Sequence, residues 1–370
     1  MKKILVALCA VALIGLTGCK KDNVAPEEPS AESGSGQSDP ERPPQSGTWA
    51  DIPGVYSPAA KIVTVNEDGT LSETWRWEDD LLKVVKSDDG SEKVRFTHDE
   101  RGRVKTMTIN GEGRISGTVN VSYNGDQISR MSLMNGSSEV FGATLTYSGG
   151  KVTKGLLNVS DMMVFEMFNA MLARYLGGEG DSLDIVTGID EVGGDINFIW
   201  DGDNVNMVNI GVSARLKTTL GKIVEMIPDM SIFGDYGPVI QGLAAIYPNR
   251  EVYIKVSMRD TAEYTYNTSY VNPLRRYLGG AFTIDDNIPR FEVATLSRNP
   301  QAHEYHHGSA TAEISVQLYG PTAVTIWEQS MPLPSSDRSY NYSTTRSDGY
   351  PETVDNGISI KTYIYQDSEQ

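Results

Sequence analysis

Between residues 61 and 157, short stretches of alternating apolar and polar side chains are separated by turns rich in Gly, Asp and Asn. In one such stretch, Val119, Val121 and Tyr123 fall on one side of an extended chain, and the polar residues between them fall on the other. A period of two is typical of a strand with one buried and one wet face. Turn signals recur roughly every dozen residues, as in successive antiparallel hairpins. The pattern predicts strands over about 61–65, 70–77, 81–86, 92–98, 103–109, 115–123, 127–134, 138–147 and 151–157.

The turns belong to a recurring unit, in which a bulky residue is followed by a polar turn and then by an aliphatic residue. Consecutive hairpins make a meander, and a long meander must curl because open flat edges aggregate. We therefore predict a mainly β fold, a long antiparallel meander curled into an open or closed barrel-like sheet with a small helical insertion. The copies of the unit are Val65–Leu71, Trp77–Leu82, His98–Val104, Tyr123–Ile128, Tyr147–Val152 and, further on, Trp200–Val205.

After residue 157 the apolar spacing changes from two to three or four, which is typical of amphipathic helices. Ser160 suits the N-cap of a helix over 161–176. A second helical pattern runs from about Ser213 to Ile227 and a third from about Pro238 to Ile246, after which the period of two returns. We expect a single β-rich domain over 49–370, with helical insertions at about 160–176 and 213–246.

The N-terminus carries two lysines and then the apolar run Ile4–Leu16, which is shorter than the ~20 residues of a membrane-spanning helix. The run ends in Leu16-Thr17-Gly18-Cys19, which resembles the bacterial lipobox. The resemblance implies a lipoprotein signal peptide over 1–18 and a lipidated Cys19, whose acyl chains give firm membrane anchoring. Residues 19–48 then form a disordered tether, because a segment of Pro, Ser, Gly and acids cannot bury enough apolar surface to fold.

Charge and cysteine content limit the cellular locations and the partners that this chain can have. Lys20-Lys21-Asp22 resembles the signal that sends Bacteroidetes lipoproteins to the cell surface, so we expect an outer-membrane lipoprotein at the cell surface, with the periplasmic face as the alternative. Cys9 lies within the signal peptide, so lipidation of Cys19 leaves no thiol for a disulfide. The formal net charge of −17 argues against nucleic acid as a partner.

One copy of the unit, His98-Asp99-Glu100-Arg101-Gly102-Arg103-Val104, resembles the YD element of Rhs-type repeats, with His98 in place of the usual tyrosine. Together with three further segments, it makes the chain similar to a Bacteroidetes lipoprotein family of unknown function, the DUF4595 group. The resemblance implies a porin-like β fold, and it brings no catalytic residues with it. The further segments are Tyr123–Asp126, Phe198–Val205, and Tyr264–Tyr266 with Asn272-Pro273.

The run His303-Glu304-Tyr305-His306-His307 satisfies the metalloprotease spacing H-E-x-x-H. On a helix that spacing places two imidazoles one turn apart on Zn²⁺, with the glutamate polarising a water. The flanking Pro300 and Gly308 and the neighbouring strand patterns favour a solvated loop instead. A regulatory metal site on this loop and a zinc hydrolase using His303, Glu304 and His307 remain as alternatives. The candidate metal ligands are His303, His307 and Glu313.

Two groups of apolar side chains could bind other ligands. Trp75, Trp77, Trp200 and Trp327 could stack on sugars, although a buried aromatic at the end of a hairpin strand is the commoner arrangement. Phe165, Phe168 and Met171 on the first predicted helix could line a cavity for a lipid-like ligand, and ordinary core packing explains them equally well.

These patterns favour a lipid-anchored, non-catalytic binding or interaction module without a cofactor, contacting the membrane only through its anchor. Its partner would be a small molecule, a glycan or a protein. One alternative is a carrier that holds a lipid-like apolar ligand in a half-open barrel. The other is the zinc hydrolase that uses the His303–His307 loop.

Overall fold

The structure is a computed structural model that describes residues 56, 58–110, 117–161, 164, 186–226, 230–277, 282–285, 288–291, 295–317, 323–333 and 335–367. Cys19 and the tether lie outside the described residues, and so do Phe165, Phe168 and Met171.

The predicted meander is confirmed, and successive strands pair antiparallel with one another. Glycines at positive φ occupy several of the turns between strands, such as Gly125 and Gly202, because a tight turn requires a conformation that other residues rarely adopt. The strands are β1 (Ala60–Glu67), β2 (Thr70–Glu78), β3 (Leu81–Ser87), β4 (Glu92–His98), β5 (Val104–Ile109), β6 (Gly117–Asn124), β7 (Gln127–Asn135), β8 (Ser138–Ser148) and β9 (Lys151–Val159).

The second half of the chain supplies four long strands and several short ones to the same sheet, and one separate hairpin. That hairpin, β13 with β14, forms a two-stranded sheet by itself. The strands are β10 (Gly188–Asp201), β11 (Asn204–Thr219), β12 (Glu251–Tyr266), β13 (Phe282–Asp285), β14 (Ile288–Phe291), β15 (Gln301–Val316), β16 (Val324–Pro332), β17 (Ser336–Ser339), β18 (Asn341–Ser343), β19 (Thr353–Asp355) and β20 (Ile360–Asp367).

Short helices follow β11: α1 (Leu220–Met226), a 3₁₀ helix (Met230–Tyr236) and α2 (Gly237–Ile246). The third helical pattern is therefore confirmed, but the prediction that a helix begins near Ser213 is wrong, because β11 continues to Thr219. Polar and apolar residues alternate from Val212 to Leu216, and all of them pair with β12. Buried Leu216 and Leu220 are four residues apart, a spacing that imitates a helix although the first lies in the strand and the second in α1.

The main sheet has 18 strands and is not closed. Each strand from β1 to β11 pairs antiparallel with the next, β12 pairs with β15, and β20 pairs with β1. On the remaining side, β17 pairs with β15 whereas β18 pairs with β19. Only Tyr340 separates β17 from β18, and its backbone N–H donates to the Ala302 carbonyl at 2.8 Å. The covalent chain at Tyr340 thus spans the gap between the two ends of the sheet.

Two apolar cores line the concave side of this sheet. The larger core belongs to the meander and includes Ile62, Met107 and Met131, all nearly inaccessible to solvent. The smaller core lies where α1 and α2 cover the far ends of the long strands, and it contains Leu220 and Ile240. Ala262 and Tyr264 of β12 belong to the larger core, whereas Met258 of the same strand belongs to the smaller one, so the two cores meet near residue 260.

The connection that follows β12 packs into the larger core. The Tyr277 ring lies 4.7 Å from Trp75 and 5.4 Å from Tyr56, measured between ring centroids. The Tyr56 hydroxyl donates to the Pro273 carbonyl at 2.7 Å, which ties the first described residue to the same connection. Aromatic side chains therefore occupy this part of the interior of the curled sheet.

Candidate functional site

The His303–His307 segment is part of strand β15, which pairs with β12 on one side and with β17 on the other, so the prediction of a solvated loop is wrong. A strand rises about 3.3 Å per residue, so the Cα atoms of His303 and His307 are roughly 13 Å apart. Two imidazoles at that separation cannot share one ion in the way that neighbouring turns of a helix allow. The strand therefore contradicts the helical zinc site, and the zinc-hydrolase hypothesis loses its geometric basis.

Glu313 lies on the same strand, six residues beyond His307, and its carboxylate accepts a hydrogen bond from the Thr325 hydroxyl at 2.6 Å. The strand rise places it roughly 20 Å from His307, so the three predicted ligands do not converge. Among the residues that the structure describes, no group of three or more His, Cys, Asp or Glu side chains is arranged to hold a metal ion.

The inward side of β15 carries a polar cluster where the two cores meet, formed by Asp260, Glu304, His306 and Tyr340. His306 Nδ1 lies 3.2 Å from Asp260 Oδ2, and its Nε2 is hydrogen-bonded to Glu304. The Tyr340 hydroxyl donates to the other Glu304 oxygen at 2.7 Å. Register explains the grouping, since His306 pairs with Ala262 and Gly308 pairs with Asp260. The cluster joins β12 and β15 to the residue that spans the gap in the sheet.

The electrostatics of the polar cluster favour an imidazolium held between two carboxylates. Burial opposes the charge on His306, but the hydrogen bonds to Asp260 and Glu304 outweigh burial and raise its pKa to about 9. Burial by itself would raise the pKa of Glu304, but the hydrogen bonds from His306 and Tyr340 lower that pKa overall. Both ring nitrogens of His306 are therefore engaged and the ring is charged at neutral pH. Such an imidazolium suits a structural link and is poorly suited to be a general base.

The outward side of β15 carries a second group, which we call the outer face: His303, Tyr305 and His307 of β15, Glu263 of β12 and Asp337 of β17. Tyr305 pairs with Glu263 on one side and with Asp337 on the other. His303 Nε2 lies 2.6 Å from Asp337 Oδ1, and His307 Nε2 lies 3.2 Å from Glu263 Oε1. Both imidazoles are substantially exposed, at 38% and 46% of their side-chain surface. The segment thus divides its histidines between the two sides of the sheet.

The tryptophans considered as sugar platforms are placed in the core or at strand contacts. Trp75 and Trp327 are 6% and 8% exposed. The Trp77 indole donates to the Ile62 carbonyl and the Trp200 indole to the Val152 carbonyl, each at 2.7 Å. Burial within or between hairpins is therefore the correct interpretation for these side chains.

The Trp200 hydrogen bond is one case of a rule that the repeating unit follows. In the units that begin with Tyr123, Tyr147 and Trp200, the aromatic residue is hydrogen-bonded to the backbone of the aliphatic residue that closes the preceding unit. The Tyr123 hydroxyl donates to the Val104 carbonyl at 2.8 Å, and the Tyr147 hydroxyl is bonded to the Ile128 backbone. These aromatic links join each hairpin to the backbone of the preceding one.

A cation reinforces two of the aromatic links. Arg103 lies 4.2 Å from the centroid of the Tyr123 ring and donates to the Gly125 carbonyl at 2.8 Å. Lys151 lies 5.4 Å from the centroid of the Trp200 ring and donates to the Gly202 carbonyl. Each cation directly precedes the aliphatic residue whose carbonyl accepts the aromatic hydrogen bond. The Gly-Arg-aliphatic ending of the YD-like element therefore has a structural role in this chain.

His98 does not form such a link, and it stands where the YD-like element departs from tyrosine. Its Nδ1 atom is buried and has no hydrogen-bond partner in the described part of the chain. Burial, with a smaller contribution from Lys83, lowers the pKa of His98 to about 4. An imidazole is shorter than a phenol, so it lacks the reach of the Tyr123 hydroxyl. His98 fills the aromatic position without forming the link.

An apolar surface remains exposed around α2. Val239 and Ile246 are 54% and 68% exposed, and the flanking Tyr236 and Tyr247 are 54% and 43% exposed. Strands β1 and β11 run in the same direction, Tyr56 precedes the first, and α1 follows the second. Tyr56 thus lies at the end of the sheet opposite to α2.

The fold and the site define a large, open, antiparallel β protein. The polar cluster lies on the inward side of strands β12 and β15, and the outer face lies on their outward side. The chain matches no protein-family model and no curated protein. Among the described residues, no helix has both the length and the apolar character needed to cross a membrane.

Proposed function

We propose that this chain is a lipid-anchored, non-catalytic binding protein of a Bacteroidetes-like cell envelope, displayed at the cell surface by its tether. The observation that carries the proposal is the division of the His303–His307 segment between two sides of one strand. The inward groups satisfy one another, whereas the outward groups are accessible to a ligand. The DUF4595-like repeats and the lipobox agree with this assignment, with the periplasmic face as the alternative location.

The N-terminus supports the anchoring part of the proposal. Cys19 follows a leader of the lipoprotein type, and residues 19–48 have the Pro, Ser, Gly and acid composition of a tether. A tether of that length would separate the sheet from the lipid headgroups. The outer face of β15 then remains accessible from the medium.

A labelling experiment tests the anchor and the location together. The full chain is expressed in a Bacteroidetes host with an alkyne analogue of palmitate, and intact cells are then treated with a protease. We expect label on the wild type, loss of label in Cys19→Ala, and digestion of the wild type on intact cells. Cys9→Ala is the matched control and should keep the label, because this residue lies within the signal peptide.

Two results would overturn parts of this proposal. Label retained in Cys19→Ala would contradict the proposal that Cys19 carries the lipid anchor. Protection of the labelled wild type on intact cells, with digestion only after the outer membrane is opened, would place the protein on the periplasmic face.

A further inference from the structure

The outer face of β15 is an ordered arrangement centred on Tyr305. Glu263 and Asp337 lie directly opposite Tyr305 on the two neighbouring strands, and His303 and His307 lie two residues before and after it. Neighbouring strands are about 4.8 Å apart, so the backbone positions of the two carboxylates are separated by roughly 10 Å, with the ring between them. The arrangement therefore spans three adjacent strands.

The two histidines hold the carboxylates in place. His303 is bonded to Oδ1 of Asp337 and His307 to Oε1 of Glu263, each through a single carboxylate oxygen. Each carboxylate thus has a second oxygen that can accept a hydrogen bond. The His307 ring also packs beside Tyr305, with ring centroids 5.4 Å apart and an interplanar angle of 31°. A ligand would meet side chains whose conformations are already restricted, which lowers the entropic cost of binding.

We propose that this outer face binds a neutral saccharide, an inference that rests on the proposed function as a binding protein and names its ligand class. The Tyr305 ring supplies an apolar surface for the C–H groups of a pyranose ring. Glu263 and Asp337 accept hydrogen bonds from hydroxyl groups at its two sides, and charge-assisted hydrogen bonds of this kind are the stronger ones. The aromatic surface and the two acceptors together match the two chemical sides of a sugar.

Charge decides which ligands fit. Two carboxylates on the face and a formal net charge of −17 for the chain repel uronic acids, sulfated glycans and nucleic acid. A lipid-like ligand would need a continuous apolar surface, whereas this face surrounds one ring with ionisable groups. Neutral sugars lack the charge that is repelled and have the hydroxyl groups that carboxylates bind.

Binding to defined neutral oligosaccharides tests the inference. The mature full-length lipoprotein is purified in a detergent without a sugar headgroup, and hexaoses of cellulose, xylan, mannan, laminarin and amylose are screened before titration calorimetry. We expect at least one hexaose to bind, and Tyr305→Ala to weaken that binding by about tenfold or more, equivalent to about 1.4 kcal/mol. Tyr305→Phe keeps the ring and should bind within about threefold of the wild type.

The control variant is Tyr253→Ala. Tyr253 lies on β12 and faces outward, as Tyr305 does on β15, and the Arg215 guanidinium lies 4.0 Å from the centroid of its ring. The control variant should leave saccharide binding unchanged. Absence of binding to every hexaose overturns the inference, and so does a Tyr305→Ala variant that binds as the wild type while unfolding at the same temperature. Because the assay uses purified protein, a negative result does not affect the labelling of Cys19, and the two proposals can fail separately.

Discussion

The indole N–H of Trp200 donates a 2.7 Å hydrogen bond to the carbonyl of Val152, a residue 48 positions earlier in the chain. Similar hydrogen bonds join Trp77 to Ile62 and Tyr123 to Val104. The Trp200 and Tyr123 links connect the aromatic residue of one unit to the aliphatic end of the preceding one, whereas Trp77 bonds to Ile62, which lies before the first unit. The repeated sequence therefore specifies contacts between hairpins as well as the hairpins themselves.

Trp200→Phe should lower the free energy of unfolding by about 1–2 kcal/mol. The substitution keeps a six-membered aromatic ring but removes the pyrrole ring with its N–H, and it leaves the Val152 carbonyl without that partner. Urea denaturation followed by circular dichroism measures the change. Tyr236→Phe, at a tyrosine that is 54% exposed, is the control and should stay within about 0.5 kcal/mol of the wild type. Equal effects from both variants would contradict a special role for the aromatic link.

His98→Tyr should stabilise the protein by about 1 kcal/mol. The new hydroxyl would donate to the backbone of the preceding unit, as Tyr123 does, and the unpartnered buried nitrogen of the imidazole would be removed. The comparison variant is His98→Phe, which removes the nitrogen but supplies no donor. Denaturation midpoints rank the three proteins. A tyrosine variant no more stable than the phenylalanine variant would show that the link cannot form at this position.

Stability should fall as the pH drops from about 6.5 to about 4, partly because of His98. Its pKa in the folded state, about 4, lies below the ordinary value of 6.5, so the unfolded chain binds the proton more strongly within this window. Protonation therefore favours unfolding. In His98→Phe, this part of the pH dependence should disappear. Thermal denaturation at half-unit pH steps measures it, and an unchanged acid limb in the variant would contradict a neutral buried His98.

Stability should also fall as the pH rises towards about 9, because of His306. Its pKa in the folded state, about 9, exceeds the ordinary value of 6.5, so the stabilisation is complete below 6.5 and is lost as the pH rises through 9. The loss should be about 3 kcal/mol. The groups that face this ring are Asp260, Glu304 and, at its edge, Tyr264.

Denaturation of His306→Gln across the same pH range checks this assignment, since the alkaline limb should become flatter than in the wild type. The exposed His307→Gln is the matched control on the opposite side of the strand and should retain the wild-type limb. Loss of the limb in both variants would contradict the assignment to His306 alone.

Gly308→Ala should destabilise the protein by more than about 2 kcal/mol. A Cβ atom at this position would meet the Arg259 carbonyl oxygen, and it would lie 2.8 Å from the Leu333 side chain and 3.1 Å from the Asp260 Cα. The crowding would push apart the strands that carry the polar cluster. The matched control is Gly193→Ala in β10, where a Cβ would meet nothing within 4 Å. Equal unfolding temperatures for the two variants would contradict the close approach of β12 and β15.

The meander could be predicted closely, because alternation and turn residues are local signals and each hairpin pairs neighbours in the chain. The start of α1 could not, since the spacing of Leu216 and Leu220 imitates a helix across a strand boundary. Only the pairing of β11 with β12 shows that the chain stays a strand up to Thr219 and does not become a helix near Ser213.

The site shows a similar division between local and long-range information. Once the His303–His307 segment is placed in a strand, its period of two already separates His306 from His303 and His307. Asp260 and Tyr340 could not be assigned to the polar cluster, because their proximity depends on the pairing of β15 with β12 and on the gap in the sheet. The H-E-x-x-H spacing indicates a zinc site only when the segment is helical, because only a helix brings the two imidazoles to one ion.

The chain has four histidines, and their accessibility tests most directly the central claim that β15 divides its histidines between two sides of the sheet. Diethyl pyrocarbonate modifies accessible neutral imidazoles, and peptide mass spectrometry gives the rate at each residue. At pH 7 we predict rapid modification of His303 and His307, and slow modification of His98, which is partly buried, and His306, which is charged and bonded at both nitrogens. Rapid modification of His306 together with protection of His303 and His307 would contradict the account.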